Sequence, residues 1–185
     1  MASAVSRLWF RQATSDFHCG ELIRATNDIT LRCHAIAKYQ QCMEKAVKGV
    51  VRSLNESKVT QEQPSMRHDL DHEMDILKRL PVSAKTPPNS PVGRIKRHLD
   101  ARMRSDLQRC MSIAPTRPVE GVQPRNTEYP FHKPTGTWMI PASADAFTDD
   151  EVAEMRAIAA RTLHWADEIT FAGSLVTKSN EDRHA

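Results

Sequence analysis

The sequence contains few of the features from which chemical sites are built. It has only 6 Gly in 185 residues, and it carries neither a phosphate-binding loop nor a Gly-rich dinucleotide fingerprint nor a nucleophile elbow. Ser, His and Asp are scattered over helical patterns, and the alternation typical of strands is nearly absent. We therefore predict that the protein is not an enzyme and that it binds no cofactor.

Large apolar residues are also scarce. Leu, Ile, Val and Phe together make up just under a fifth of the chain, and the net charge is only +3. The 11 Pro residues are clustered, and no run approaches the roughly 18 apolar residues that a membrane-spanning helix needs. This composition predicts a few helices with a thin core, joined by Pro-rich connectors and completed by packing against a partner.

The N-terminal arm, residues 1–14, has the composition of a mitochondrial import signal. It contains Arg7 and Arg11, several Ser and Ala, and no acidic residue. In a helix, Val5, Leu8 and Trp9 would share one face, as the apolar residues of such signals do. An ordinary N-terminal arm is the alternative.

A long helix is predicted from Ser15 to about Ser57, a stretch that contains no Pro. At 1.5 Å per residue it would be about 60 Å long, so we expect it to pack on something larger than this chain. Apolar residues recur every seven positions, which is typical of a coiled coil or a helical hairpin. The first row is Leu22, Ile29, Ile36, Met43 and Val50, and the interleaved row is Thr26, Cys33, Gln40, Val47 and Leu54. We predict that Leu22, Ile29, Ile36 and Met43 contact a partner.

Three of the four cysteines lie on this predicted helix. Cys33 and Cys42 are nine positions apart and would point to opposite sides, so they cannot share a metal ion or a disulfide. Cys33 is interpreted as a small buried apolar residue. A disulfide from Cys19, Cys42 or Cys110 to another chain stays open.

A second helix, from about Ser65 to Leu80, is predicted to fold back on the first and to complete a segment of residues 15–80. His68 and His72 are four apart on it, a spacing that suits a metal ion. A third fixed ligand is lacking, so we interpret them as part of a solvated face and predict no metal site.

The third helix, residues 91–113, follows a Pro-rich linker at residues 81–90. Ser90 is its predicted cap, with Pro91 at the first helical position. One face is apolar and the other is basic, which suits lipid headgroups, RNA phosphates or an acidic protein groove. Arg97, Arg102 and Arg104 are its candidate contact residues; the alternative is a bundle helix with a basic outer face.

Residues 114–147 are predicted to form an extended Pro-rich arm. Tyr129, Phe131 and Trp138 are its candidate anchors on a protein partner. A C-terminal helix with a polar tail, residues 148–185, begins with a capping box formed by Thr148 and Glu151.

The predicted fold is mostly α: an elongated helical hairpin or bundle with a long N-terminal helix, Pro-rich extended connectors and essentially no β-sheet. The leading functional hypothesis is a structural accessory subunit of a large mitochondrial assembly, peripheral to the inner membrane, in a respiratory-chain complex or the ATP synthase. Its expected partners are other protein subunits, with possible contact to anionic lipid headgroups and no small-molecule substrate. The alternatives are a mitochondrial ribosomal protein that contacts rRNA through the basic helix, and an axonemal or microtubule-associated protein in the cytoskeleton.

Overall fold

A computed structural model describes residues 4–65, 70–80, 86–87, 90–113, 127, 131–132 and 136–171. In this part of the chain the fold is mostly helical, as predicted. The helices are α1 (Ala4–Ala25), α2 (Arg32–Glu56), α3 (Asp71–Arg79), α4 (Pro91–His98), α5 (Ala101–Ile113) and α6 (Asp149–Phe171). A single 3-10 turn, Ile29–Leu31, precedes α2. Two short strands, β1 (Phe131–His132) and β2 (Trp138–Met139), pair antiparallel.

The predicted continuous helix from Ser15 to Ser57 is wrong in its bounds, because the chain reverses direction after Ala25. Asn27 has a φ of 56°, the left-handed conformation that Asn tolerates better than most residues. Asp28 then caps the 3-10 turn, and its side chain accepts hydrogen bonds from the backbone N–H and the hydroxyl of Thr30. The single 60 Å helix is therefore replaced by the two antiparallel helices α1 and α2, each roughly 35 Å long.

Close contacts fix the register of this hairpin. The ring of Tyr39 lies directly over Gly20, and the ring of Phe10 lies against Gly49. Between them, the buried carboxylate of Asp16 binds the ammonium groups of Lys38 and Lys45. The two small residues permit the close approach of α1 and α2, so residues 4–14 of the predicted N-terminal arm are part of a core helix.

Helix α6 completes a three-helix core by running parallel to α2. Its first turn meets the start of α2 through Arg32 and Asp149, and its last residue meets the start of α1 through Phe171 and Phe10, whose ring centroids are 4.9 Å apart. The predicted capping box is confirmed: the Glu151 N–H donates to the Thr148 hydroxyl, and the Thr148 N–H donates to the Glu151 carboxylate.

The predicted third helix is divided into α4 and α5. Its start is confirmed, since the Ser90 hydroxyl accepts a hydrogen bond from the Gly93 N–H and Pro91 is the first helical residue. The helix is interrupted at Leu99, and the side chain of Asp100 caps α5 by accepting from the Met103 N–H at 2.8 Å. α5 then packs antiparallel to α6, with ion pairs from Arg109 to Glu154 and from Arg161 to Asp106. The second predicted helix, Ser65–Leu80, is described as a helix only over α3, which packs on α2.

Candidate interaction surfaces

Two large apolar side chains are exposed where the α1–α2 hairpin reverses. Leu22 is 72% exposed and Ile29 is 47% exposed. Both belong to the heptad row predicted to contact a partner, whereas Ile36 and Met43 of the same row are fully buried inside the chain. The expectation that Ile36 and Met43 pack on another protein is therefore corrected, because α1 and α6 already cover α2. Leu22 and Ile29 remain available.

A cleft of about 390 Å³ opens at this end of the hairpin, between the hairpin turn and the first turns of α6, and Ile29 is one of its lining residues. We call this cleft together with Leu22 and Ile29 the hairpin-end surface. Apolar lining comes from Ile23, Leu31, Ala35 and Val152, and charged lining from Arg24, Asp28, Arg32, Asp149 and Asp150. An apolar floor with a charged rim is the usual anatomy of a protein-binding patch.

Arg32 is held in place at this rim rather than available to a ligand. Its guanidinium makes a two-pronged contact with Asp149, with Nε–Oδ1 at 2.8 Å and Nη2–Oδ2 at 2.6 Å. It also donates to the carbonyl oxygens of Ala144 and Phe147. Such a bidentate pair fixes orientation as well as neutralising charge. Arg32 therefore joins α6 to the hairpin and shapes the cleft.

Two other rim carboxylates have no such partner. Among the residues that the structure describes, the Asp28 carboxylate accepts hydrogen bonds only from Thr30, and neither Asp28 nor Asp150 has a cation within ion-pair distance. The hydrogen bonds from the Thr30 hydroxyl and N–H lower the pKa of Asp28, so it is charged at neutral pH. Sequence reasoning missed both residues, although the Thr-Asn-Asp turn was a visible signal.

A hydrogen-bonded group beneath the hairpin end holds three helices together. Tyr39 of α2 donates to Glu21 of α1 at 2.6 Å, and Arg156 of α6 donates to both oxygens of the same carboxylate at 2.8 and 2.9 Å. Burial, and then the Glu21 carboxylate, raise the pKa of Tyr39, so its hydroxyl stays a donor. This group joins α1 to α2 and α6 at Glu21, the residue before Leu22.

The same group predicts a dependence of stability on pH. Burial acts to raise the pKa of Glu21, but the hydrogen bond from Tyr39 and the contact with Arg156 lower it by more, to below its usual 4.5. A carboxylate with a lowered pKa stabilises the fold above its unfolded pKa, and this stabilisation is lost as the pH falls through the folded pKa. We expect the free energy of unfolding, measured with urea, to fall more between about pH 6 and about pH 3 for the wild type than for Glu21→Gln. Equal losses in the two proteins would contradict this role of Glu21. Asp145→Asn serves as the control, because Asp145 is exposed and has no ion pair with a described residue.

The basic surface predicted on the third helix is present on α4 and α5. Arg97, Arg102 and Arg104 are all exposed. The side chains of Arg102 and Arg104 make no ion pair with any carboxylate in the described ranges. Arg109, by contrast, forms ion pairs with Glu151 and Glu154 of α6. The interruption at Leu99 places Arg97 on a different helix from the other two.

The aromatic arm is described only in part. Trp138 is 57% exposed, as is Ile140 two residues later. The backbone of Phe131 pairs with Met139 in the short antiparallel ladder. Tyr129 lies outside the described residues. The structure thus places one of the three predicted anchors on the surface of the protein.

The four cysteines are free thiols, and three of them are buried. Burial raises the pKa of Cys33, Cys42 and Cys110, so these thiols stay protonated and unreactive. Cys42 and Cys110 are 0% and 3% exposed, so a disulfide from either to another chain requires the core to open. Within the described ranges, no three His, Cys, Asp or Glu residues lie close enough together to hold a metal ion.

Comparisons with known proteins were made at three levels. No family model matches the chain, and neither the curated proteins nor the solved structures contain a significant match to it.

Proposed function

We propose that the protein is a non-catalytic structural accessory subunit of a large mitochondrial assembly, a respiratory-chain complex or the ATP synthase. One observation carries the proposal: two large apolar side chains, Leu22 and Ile29, are exposed at the end of the hairpin where a cleft opens. Burying a Leu or Ile side chain is worth about 1.5–3 kcal/mol, so leaving both in water is costly unless another molecule covers them. The three-helix core supplies the rigid support that a scaffold needs.

The mitochondrial part of the proposal is supported by α1. Arg7 and Arg11 are exposed on this helix together with Val5 and Leu8, which gives a basic and apolar face without an exposed acidic residue between Ala4 and Ser15. This is the pattern that import receptors recognise. No helix in the described part of the chain is long and apolar enough to cross a membrane. A peripheral position at the inner membrane, with Arg102 and Arg104 near anionic headgroups, belongs to the same proposal.

A mitochondrial ribosomal protein is the second candidate. It is favoured by the exposure of Arg97, Arg102 and Arg104 and by the lack of described ion pairs at the last two. Unpaired arginines of this kind neutralise RNA phosphates. The modest net charge of +3 gives less phosphate neutralisation than an RNA-embedded protein usually needs, so this candidate comes second. The axonemal or microtubule-associated alternative gains no specific support from the described residues.

The experiment is affinity purification of the tagged full chain from its native cell in mild detergent, with quantitative mass spectrometry. Leu22→Asp/Ile29→Asp is expected to lose at least about nine-tenths of the co-purifying oxidative phosphorylation subunits, because charged groups would replace both apolar anchors. Both positions are exposed, so circular dichroism should show unchanged helix. The matched control, Arg97→Gln/Arg102→Gln/Arg104→Gln, is expected to retain those partners.

The opposite result would place the partner contact elsewhere on the protein. Partners that survive Leu22→Asp/Ile29→Asp and are lost from the triple Gln variant would place the contact on the basic surface. If those partners are ribosomal proteins, the second candidate replaces the first. Recovery of tubulin would overturn both mitochondrial candidates.

A further inference from the structure

The charge on the rim of the hairpin-end surface indicates what kind of partner it accepts. Five charged side chains line the cleft, three acidic and two basic. Arg32 and Asp149 neutralise each other. Arg24 lies 3.5 Å from Glu21, but that carboxylate already binds Arg156, so Arg24 is only partly neutralised. The rim therefore has a net negative charge, which is carried by the carboxylates of Asp28 and Asp150. Both are exposed to solvent and can be approached directly.

The dimensions of the cleft limit what can enter it. A volume of about 390 Å³ is near the lower end of the range for ligand pockets, about 300–1,000 Å³. It can receive apolar side chains projecting from one segment, but it cannot enclose a folded domain. Ile29 is itself part of the cleft lining, and Leu22 precedes the lining residue Ile23 on α1, so a segment with a long apolar stripe can cover both the cleft and Leu22.

We propose that the hairpin-end surface binds an amphipathic segment of another protein, with its apolar stripe on Leu22, Ile29 and the cleft floor and with Lys or Arg flanking that stripe. The cationic groups pair with Asp28 and Asp150. This proposal rests on the proposed docking function and specifies the chemistry of the partner. An anionic membrane or a nucleic acid is disfavoured here, because phosphates would face two carboxylates that have no counter-ion.

The test uses two short fluorescent peptides with the purified full chain. One is an amphipathic helix former built from leucine and lysine, and its counterpart carries glutamate in place of every lysine. Fluorescence anisotropy is measured at low and at high salt for each. We expect the lysine peptide to bind at least about fivefold more tightly at low salt, with the difference shrinking as salt screens the rim charges.

The deciding variant is Asp28→Asn/Asp150→Lys. Asparagine keeps the side-chain acceptor that caps the 3-10 turn, so the fold of the hairpin end should survive. We expect about a fivefold loss of affinity for the lysine peptide and a gain for the glutamate peptide. The matched control is Asp71→Asn/Asp75→Lys, which makes the same change of charge at exposed positions of α3 and should leave both affinities unchanged.

The possible failures are distinguishable. If both peptides bind with equal affinity and Leu22→Asp/Ile29→Asp abolishes that binding, the charge preference is overturned but the docking function stands. If Leu22→Asp/Ile29→Asp does not weaken peptide binding, the hairpin-end surface is not a docking site. The proposed function is then overturned as well. Concentration-dependent self-association of the chain, abolished by Leu22→Asp/Ile29→Asp in sedimentation velocity, would assign the surface to a second copy and overturn the proposal.

Discussion

Replacing Gly20 with valine is expected to lower the free energy of unfolding by about 3 kcal/mol. A Cβ atom at this position would lie 2.6 Å from Cε1 and 2.9 Å from Cδ1 of Tyr39, closer than real Cβ contacts come. The ring cannot simply rotate away, because it is fully buried and its hydroxyl is bonded to Glu21. Either α1 and α2 separate or the Tyr39–Glu21 hydrogen bond breaks, and both destabilise the hairpin.

Urea unfolding followed by circular dichroism at 222 nm, where helices give a strong negative signal, measures this effect. Ser15→Val makes a comparable change on the exposed side of the same helix, and its free energy of unfolding should stay within about 0.5 kcal/mol of the wild type. A Gly20→Val protein as stable as Ser15→Val would show that α1 and α2 do not approach each other as closely as described. A loss of about 3 kcal/mol would be a large part of the total stability of an ordinary domain, about 5–15 kcal/mol.

The second large effect is expected for Phe10→Ala, which should lower the free energy of unfolding by about 3–5 kcal/mol. Phe10 is 3% exposed, and its ring packs edge-on against Phe171 and over the backbone of Gly49. Truncation to alanine leaves a cavity where α1, α2 and α6 meet, and the surrounding helices can relax into it only in part. The loss should appear as a lower midpoint of urea unfolding with little change in the slope.

Leu8→Ala is the matched control for Phe10→Ala. It removes a large apolar side chain from the same turn of α1. Leu8 is 59% exposed, so its loss should change the free energy of unfolding little. If the two variants lose equal stability, α1 is not packed with Phe10 inward. This pair also separates two roles of the import-like segment, since Phe10 supports the fold and Leu8 lies on the face available for recognition.

Local signals in the sequence were sufficient for several helix ends. Ser90 followed by Pro91, and Thr148 with Glu151, act through hydrogen bonds that span three or four residues, so their effect is visible without knowledge of the tertiary fold. The reversal near Asn27 was missed although its residues favour turns. The heptad pattern continued across it, because Leu22 and Ile29 happen to keep their spacing of seven. A periodic pattern shows which residues are apolar, but it does not show that the helix between them is unbroken.

The candidate site was predictable only in part. The heptad row selected Leu22 and Ile29 together with Ile36 and Met43, and only tertiary packing separates the exposed pair from the buried pair. The cleft could not be predicted, since it exists only because Asp149 meets Arg32 across 117 positions of sequence. The ion pairs of Asp16 with Lys38 and of Lys48 with Glu44 were not predicted either. The first joins two helices and gives no local signal, whereas the second has the i,i+4 spacing of a helical ion pair.

The short connection between α1 and α2 has a consequence for the order of folding. Contacts within this hairpin span fewer positions, 19 for Gly20 with Tyr39 and 39 for Phe10 with Gly49, since residues 26–31 close it, whereas the contacts of α6 with Glu21 and Arg32 span 135 and 117 positions. Local contacts cost less loop entropy and form sooner. During synthesis, the hairpin can therefore assemble while α6 is still inside the ribosome. Until α6 emerges, the side of α2 that it covers is open to water, and in that interval the nascent chain depends most on chaperones.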